Sequence, residues 1–332
     1  MSEPNGQFHS ENLTSNEMVF ARVVPDLAAR TSPGGVYLGV GPEQNFTYIA
    51  AMRPQIAIIA DVRRGNLQLQ LMYKALFELS SDRADFVSRL FSKKRPDGLN
   101  AQTSAYAMMT AYWNTWTSDN ASYTANLQAI DDELTKRHHL PLDDDDLSGI
   151  ARVYHAFYWY GPAITYSAST TPRALPPVNT GVTYADLVSQ TDGTGQGLSF
   201  LGSEDRFRIV KDLESKNLVL PVVGNFGGAK ALRAVGDYVR QHGATIGAFY
   251  VSNVEQYLKT DGIWPVFCAN VATMPLDDKS VFIRPGSSSV VISSSTRQAN
   301  GSFSYVAPSS IPSRAATRSA LVPIVPEVAS CR

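Results

Sequence analysis

Short, uninterrupted apolar runs alternate with longer amphipathic stretches at the start of this chain and again in its second half. Val36-Tyr37-Leu38-Gly39-Val40 follows Pro33-Gly34-Gly35 and reads as a buried strand. A loop, Gly41-Pro42-Glu43-Gln44, leads into a helix from about Asn45 to Met52. Gln55 to Ala60 is a second buried strand ending at Asp61, and a long helix begins near Asn66. Runs that are apolar on both faces and joined by helical crossovers predict a parallel sheet covered on both sides. Ahead of them, residues 1–14 show no period and are expected to be disordered. Asn16 to Arg30 is expected to be a helix re-aimed at Pro25.

The alternation stops after residue 81. Asp82–Phe91, Thr103–Trp116, Ser122–Arg137 and Leu147–Tyr160 all carry a helical period, and a Pro/Thr/Ser-rich stretch, Ser167–Thr180, follows them. Alternation then returns: a helix over Ser203–Lys216, strands at Leu218–Val223 and Thr245–Val251, and a helix over Gly228–His242 closed by Gly243. Helical turns from Val254 and Trp264 lead to a strand at Ser280–Arg284. A hairpin could join Val290–Ser293 to Phe303–Val306, and Pro308 onward reads as a loose tail. The expected fold is therefore α/β and Rossmann-like, with a mostly parallel sheet and a large helical insertion after the second strand. Its parts are a disordered 1–14, a first half over 15–81, a helical cap over 82–180, a second half over 181–307 and a flexible tail over 308–332.

Composition narrows the function classes. The net charge of −1 gives no global pull toward nucleic acid or anionic lipid, and no apolar run is long enough to span a bilayer. Residues 1–16 lack the layout of a signal peptide. Cys268 sits in an apolar segment and Cys331 in the tail, which speaks against a disulfide and for a cytoplasmic protein. His138-His139 with Asp143–Asp146 reads as a solvated helix start rather than a metal site, because consecutive carboxylates cannot all face one ion.

Three strand ends carry candidate chemistry. Gly39-Val40-Gly41 turns from a strand into a helix, and Asp61 ends the next strand. Glycines let the backbone approach a ligand, and an acid at that strand tip accepts hydrogen bonds from ribose hydroxyls. A dinucleotide fold wants a glycine where Gln44 stands, and a carboxylate at Glu43 would repel a pyrophosphate while receiving an ammonium. Charge therefore favours S-adenosylmethionine over a nicotinamide cofactor, with Gly39, Gly41, Pro42, Glu43, Asn45 and Asp61 as candidate contacts. The second strand end, Tyr250-Val251-Ser252-Asn253-Val254-Glu255, places polar groups where open parallel sheets bind ligands. There Ser252 is a candidate cofactor contact. Tyr250, Asn253 and Glu255 are candidate catalytic groups, with helix capping by Ser252 or Asn253 as the simpler alternative. The third, Val223-Gly224-Asn225-Phe226-Gly227-Gly228, offers Asn225 and Phe226 to the same ligand, or is a tight turn.

The stretches Val36–Arg64, Thr183–Glu204 and Asn217–Arg284 resemble a bacterial family with a class I S-adenosylmethionine-dependent methyltransferase-like fold and no assigned activity. The resemblance is carried by Tyr37-Leu38-Gly39-Val40-Gly41-Pro42-Glu43-Gln44-Asn45, by Phe249 to Leu258 and by Phe282-Ile283-Arg284. The Ser-Asn-Val-Glu turn is also similar to the Ser-Asn turn of 3-amino-3-carboxypropyl transferases, which use the same cofactor. These likenesses imply an S-adenosylmethionine-binding transferase, a methyltransferase first, with an unknown acceptor. Glu43 or Glu255 would meet the methionine ammonium, and the helical cap would shape the acceptor site. The rival reading is a retained scaffold that binds a ligand or partner without catalysis.

Overall fold

The computed structural model describes residues 1–331 except 9, 32, 116–118, 169–180, 193, 285–294, 298–302 and 306–319. Strand β1 is Val36–Gly39 and β2 is Ile56–Asp61, and every residue of both is buried. Their β-branched and apolar side chains suit a strand covered on two faces. Strands β3 (Val219–Val223), β4 (Ile246–Tyr250) and β5 (Val281–Arg284) complete a parallel set. Antiparallel β8 (Ala320–Pro323) pairs with β5. The order is β3-β2-β1-β4-β5-β8, so the chain reverses direction across the sheet between β1 and β4. In an α/β sheet, that switch is where a crevice opens at the carboxyl ends of the strands. Both edge strands contain a proline, Pro221 in β3 and Pro323 in β8.

Helices cover the sheet: α1 (Val24–Arg30), α2 (Gln44–Met52) and α3 (Arg64–Leu79) in the first part. Helices α4 (Arg83–Phe91), α5 (Ala105–Asn114), α6 (Asn120–Asp132) and α7 (Asp144–Tyr160) form the expected helical block between β2 and β3. Their starts follow from local chemistry, since Asp82, Ser104, Asp119 and Asp143 each cap a first turn through a side-chain oxygen. A π-helical turn, Glu133–Arg137, ends α6. Short α8 (Tyr184–Val188) and α9 (Glu204–Ser215) lead back to the sheet. Helix α10 (Ala231–Gln241) connects β3 to β4, while α11 (Val254–Thr260) and α12 (Trp264–Val271) connect β4 to β5. No helix among the described residues is long and apolar enough to cross a membrane.

Four expectations change. Helix 16–30 is shorter: the described residues of 1–17 form no helix or strand, a 3-10 turn spans Phe20–Val23, and α1 starts with Pro25 in its first turn. The described residues of 1–14, a segment expected to be disordered, include several held against the sheet, with the Glu3 amide donating to Val223 O (2.8 Å) and the Gly6 amide to Val62 O (2.8 Å). The tail is not loose over its last described residues. After β8, helix α13 (Ile324–Ala329) docks, with Ile324 fully buried. Its anchors are Glu327, which accepts from Arg284, and a disulfide between Cys268 and Cys331. The spacing of the two cysteines carried no hint of that pairing, because the fold alone brings α12 and α13 together. The disulfide also removes the cysteine-based argument for a reducing compartment. The hairpin pairs β6 (Ser295–Arg297) with β7 (Phe303–Tyr305), and Val290–Ser293 lies outside the described residues.

Candidate functional site

A cavity of about 250 Å³ opens at the carboxyl ends of β1, β2, β3 and β4. Gly41, Pro42 and Gln44 form one wall, Asp61 and Arg63 the floor, and Asn225 and Phe226 a second wall. Ser252, Asn253 and α11 complete it, and residues between Gln7 and Glu17 form its roof. Phe8 of the roof meets Tyr257 of α11 edge to face, at 5.2 Å between ring centres. Among the described residues of 82–180, Tyr166 alone reaches this cavity, so the roof comes from the start of the chain rather than from the helical block.

The β1–α2 loop is built mainly by internal bonds. Gly41 has a φ of +82°, a conformation that glycine adopts without strain. A Cβ on Gly39 would sit 2.0 Å from Asn45 Oδ1, so glycine there admits the Asn45 side chain. The Asn45 amide donates to the carbonyls of Val40 (3.0 Å), Gly41 (3.2 Å) and Pro42 (2.7 Å), and its oxygen accepts from Tyr37 OH (2.7 Å). Gly39 and Asn45 thus shape the loop and do not face a ligand. Glu43 is buried, does not line the cavity and accepts from the Ser15 amide (3.2 Å). Burial pushes its carboxyl up to about 7, against the opposing pull of backbone hydrogen bonds. Its position excludes it as an ammonium partner in the cavity.

Asp61 stands where the sequence places it, at the tip of β2, but it is engaged. Arg63 forks it, with Nε 3.0 Å from Oδ1 and Nη2 2.9 Å from Oδ2, and the Arg63 amide adds a bond of 2.9 Å. Arg63 Nη1 also donates to the carbonyls of Ser10 and Glu11, tying roof to floor. Asn225 Oδ1 accepts from the Gly227 amide (2.9 Å), and Phe226 packs edge-on against Phe249 at 5.2 Å.

At the end of β4 the expected roles separate. Glu255 is forked by Arg284 at 2.7 and 2.8 Å, an ion pair that binds α11 to β5 and, through Glu327, to α13. It does not line the cavity, which takes it out of the candidate catalytic set. Neither Ser252 nor Asn253 caps α11 through its side chain, and both face the cavity. Tyr250 is fully buried and lies behind Gln44 and Glu17. Its hydroxyl donates to Glu17 Oε1 (2.6 Å) and accepts from Gln44 Nε2 (3.0 Å). Burial, then the nearby Glu17 charge, holds this phenol well above the ordinary tyrosine range.

Glu17 is the group that sequence reading missed. Its Oε1 takes hydrogen bonds from Tyr250 and Ser252 (2.8 Å). Oε2 is cut off from solvent and has no partner among the described residues. Burial raises its carboxyl, and the two hydroxyls pull it partly back. Three more cavity residues carry a buried oxygen with no partner, Asn12 Oδ1, Thr14 Oγ1 and Gln44 Oε1. The Gln44 amide is oriented by chemistry: the Tyr250 proton goes to Glu17, so Gln44 must present its NH2 to that hydroxyl and leave its oxygen unsatisfied. One signal in the sequence pointed here, a polar run, Thr14-Ser15-Asn16-Glu17, set directly against apolar Met18-Val19-Phe20.

A second cluster has metal-type ligands. Glu78, Glu133 and His138 bring ligand atoms within 4.8 Å of one another. Lys74 and Arg137 already pair with those two carboxylates, and His138 Nε2 bonds Glu78 at 2.7 Å. Two cations matched to two anions leave no charge for an ion to neutralise.

Comparison with curated proteins gives no match. Residues 13–148 and 168–313 match the family described as "Domain of unknown function (DUF7790)", most of the chain, and the protein belongs to that family.

Proposed function

We propose that the cavity between β1 and β4 binds S-adenosylmethionine and that the protein is a transferase using it, with an acceptor still to be identified. The observation that carries this reading is the set of four unpartnered buried oxygens in cavity residues, Asn12 Oδ1, Thr14 Oγ1, Glu17 Oε2 and Gln44 Oε1, of which all but the Thr14 hydroxyl can act only as acceptors when Glu17 is ionised. An ammonium group offers donors and no acceptor, which matches the acceptor character of that set. The charges agree. Glu17, Asp61 and Asp261 line the cavity against Arg63 alone, an environment that attracts an ammonium and a sulfonium and repels a pyrophosphate. Phe226, Leu258 and Ile263 offer an apolar face for a base, and the switch in strand order supports a class I methyltransferase-like fold. Asp61 would accept the ribose hydroxyls through the lone pairs that Arg63 leaves free. When bound, the cofactor supplies an electrophilic carbon. Ser252 and Asn253 face the same space and are placed to orient an acceptor.

One observation favours the rival reading of a non-catalytic scaffold: the Arg63 fork already satisfies most of Asp61. Calorimetric titration with S-adenosylmethionine and S-adenosylhomocysteine separates the two. Binding in the micromolar range, weakened strongly but still measurable in Glu17→Gln and weakened less in Asp61→Asn, supports the cofactor site. Folded wild-type protein that takes up neither ligand at millimolar concentration would sink it.

A further inference from the structure

The roof of the cavity is held at its far end by an arrangement that the binding site does not require. The Glu3 carboxylate accepts three backbone N–H bonds, from Asn225 (2.9 Å), Lys230 (3.2 Å) and Ala231 (2.9 Å), at the β3–α10 turn. The turn is shaped for it: a Cβ on Gly228 would lie 3.1 and 3.2 Å from the two Glu3 oxygens. Around this point Lys230 Nζ donates to Ser2 O (2.8 Å) and the Val223 amide to Ser2 Oγ (3.2 Å). From there the chain crosses the strand tips. The Arg64 amide donates to Asn5 Oδ1 (2.7 Å), and Gly6 lies so close to Val62 that a Cβ would meet its Cγ2 at 2.3 Å. Arg63 then holds the Ser10 and Glu11 carbonyls, and Glu17 closes on Tyr250 and Ser252. From Ser2 to Glu11 the contacts of this segment are mainly polar, the Phe8 ring on Tyr257 apart, and lie at the carboxyl edge of the sheet, whereas Leu13 is buried in the core and pins the end of the segment nearest α1. Polar bonds exchange readily with water and contribute little apiece, so a segment held by them opens far more easily than the apolar core. The cavity, which is partly open to solvent, has a volume of about 250 Å³, below the usual range for a drug-sized ligand, about 300–1,000 Å³.

We propose that residues 2–17 are a strap that opens to admit the ligand and closes over it, and that the carboxylate of Glu3 in the backbone nest of the β3–α10 turn is its latch. The gating role rests on the ligand reading above, and the latch itself does not. Arg63 makes the two ends communicate, because it grips both the strap carbonyls and the acid offered to a ribose.

The test is hydrogen–deuterium exchange on the full chain, in wild type, Glu3→Ala and Gly228→Ala, with and without S-adenosylhomocysteine. The second variant crowds the latch while leaving Glu3 in place. Losing charge-assisted bonds at the latch should accelerate exchange of the Gly6, Ser15 and Glu17 amides together, by about tenfold, in both variants. Dissociation of S-adenosylhomocysteine should quicken by a similar factor. Acceleration confined to residues 2–5 and 223–231 overturns the strap. Joint acceleration at Gly6, Ser15 and Glu17 in protein that binds no S-adenosylhomocysteine leaves the latch standing and removes the ligand reading alone.

Discussion

The loop 39–45 and the segment 12–17 face each other across one cavity, yet their polar groups are treated in opposite ways. In the loop, Asn45 spends its whole amide on three carbonyls and a tyrosine hydroxyl, and the only loose end that is not at the cavity is Glu43 Oε2. In the opposing segment, Asn12, Thr14 and Glu17 each keep an oxygen unused. Gln44, where the loop meets the cavity, does the same. Buried polar atoms are costly without partners, so a concentration of them at one wall marks where the protein is incomplete by itself. Two asparagines of the same composition thus serve unlike ends, one as a brace and one as a receptor.

The largest effect should come from removing the brace. Asn45→Ala strands the Tyr37 hydroxyl and three carbonyls, and should lower the unfolding free energy in urea by on the order of 3–5 kcal/mol. A loss below about 1 kcal/mol would mean that water replaces the side chain and that the loop is not self-supporting.

Glu43 is the exception within the loop, and pH exposes it. Its folded carboxyl titrates at about 7 against an ordinary 4.5, so the folded state holds the proton more tightly than the unfolded one. Stability from this group is fully present below about 4.5 and is lost as pH rises toward 7. Glu43→Gln keeps an acceptor for the Ser15 amide and removes the buried charge. It should therefore stabilise the protein at pH 8 by about 3 kcal/mol and flatten that part of the pH profile. Identical thermal profiles for variant and wild type between pH 5 and 8 would refute this assignment.

On the receptor side, the expected signature is binding rather than stability. Only ionised Glu17 holds an ammonium well, and burial raises its carboxyl from the ordinary value. Affinity for S-adenosylhomocysteine should accordingly fall as pH drops toward the ordinary carboxyl range, beginning at a higher pH than an exposed glutamate would give. Glu17→Gln should abolish that dependence, and a wild-type affinity independent of pH would place the ammonium elsewhere. The smallest change is Asn12→Ala, which should weaken the same ligand about fivefold while costing only about 1 kcal/mol of stability, the cost of placing alanine on the left-handed backbone of Asn12 (φ +47°). If Asn12→Ala instead destabilises as much as Asn45→Ala, the contrast between brace and receptor is wrong.

The sheet was legible because its information is local. Five parallel strands announce themselves as apolar runs between turn residues, and Asp61 as the polar stop of one of them. The cap of α9 could be read for the same reason, since Ser203 lies within three residues of the amide it serves. The strap was not legible. Its residues have no period, and its anchors join Glu3 to Ala231 and Glu17 to Tyr250, pairings that exist only after the sheet has assembled. Glu255 shows the converse error: a carboxylate after a strand end looked reactive, but Arg284, which neutralises it, comes from a different strand. Strand β8 and the Cys268–Cys331 bond were hidden likewise, by a long polar stretch between them and the rest of the sheet.

The prolines of the two outermost strands have a consequence outside the cavity. A sheet of six strands ends in two rows of backbone groups that could template another chain, the first step toward fibrous aggregates. Pro221 in β3 and Pro323 in β8 each remove a donor from those rows. An edge strand tolerates proline only with its nitrogen turned away from its neighbour, toward an incoming chain. Each border of the sheet therefore carries a residue that interrupts self-association by forming no ladder bond of its own through nitrogen, and at β3 Ser2 and Glu3 also occupy the amide and carbonyl of Val223.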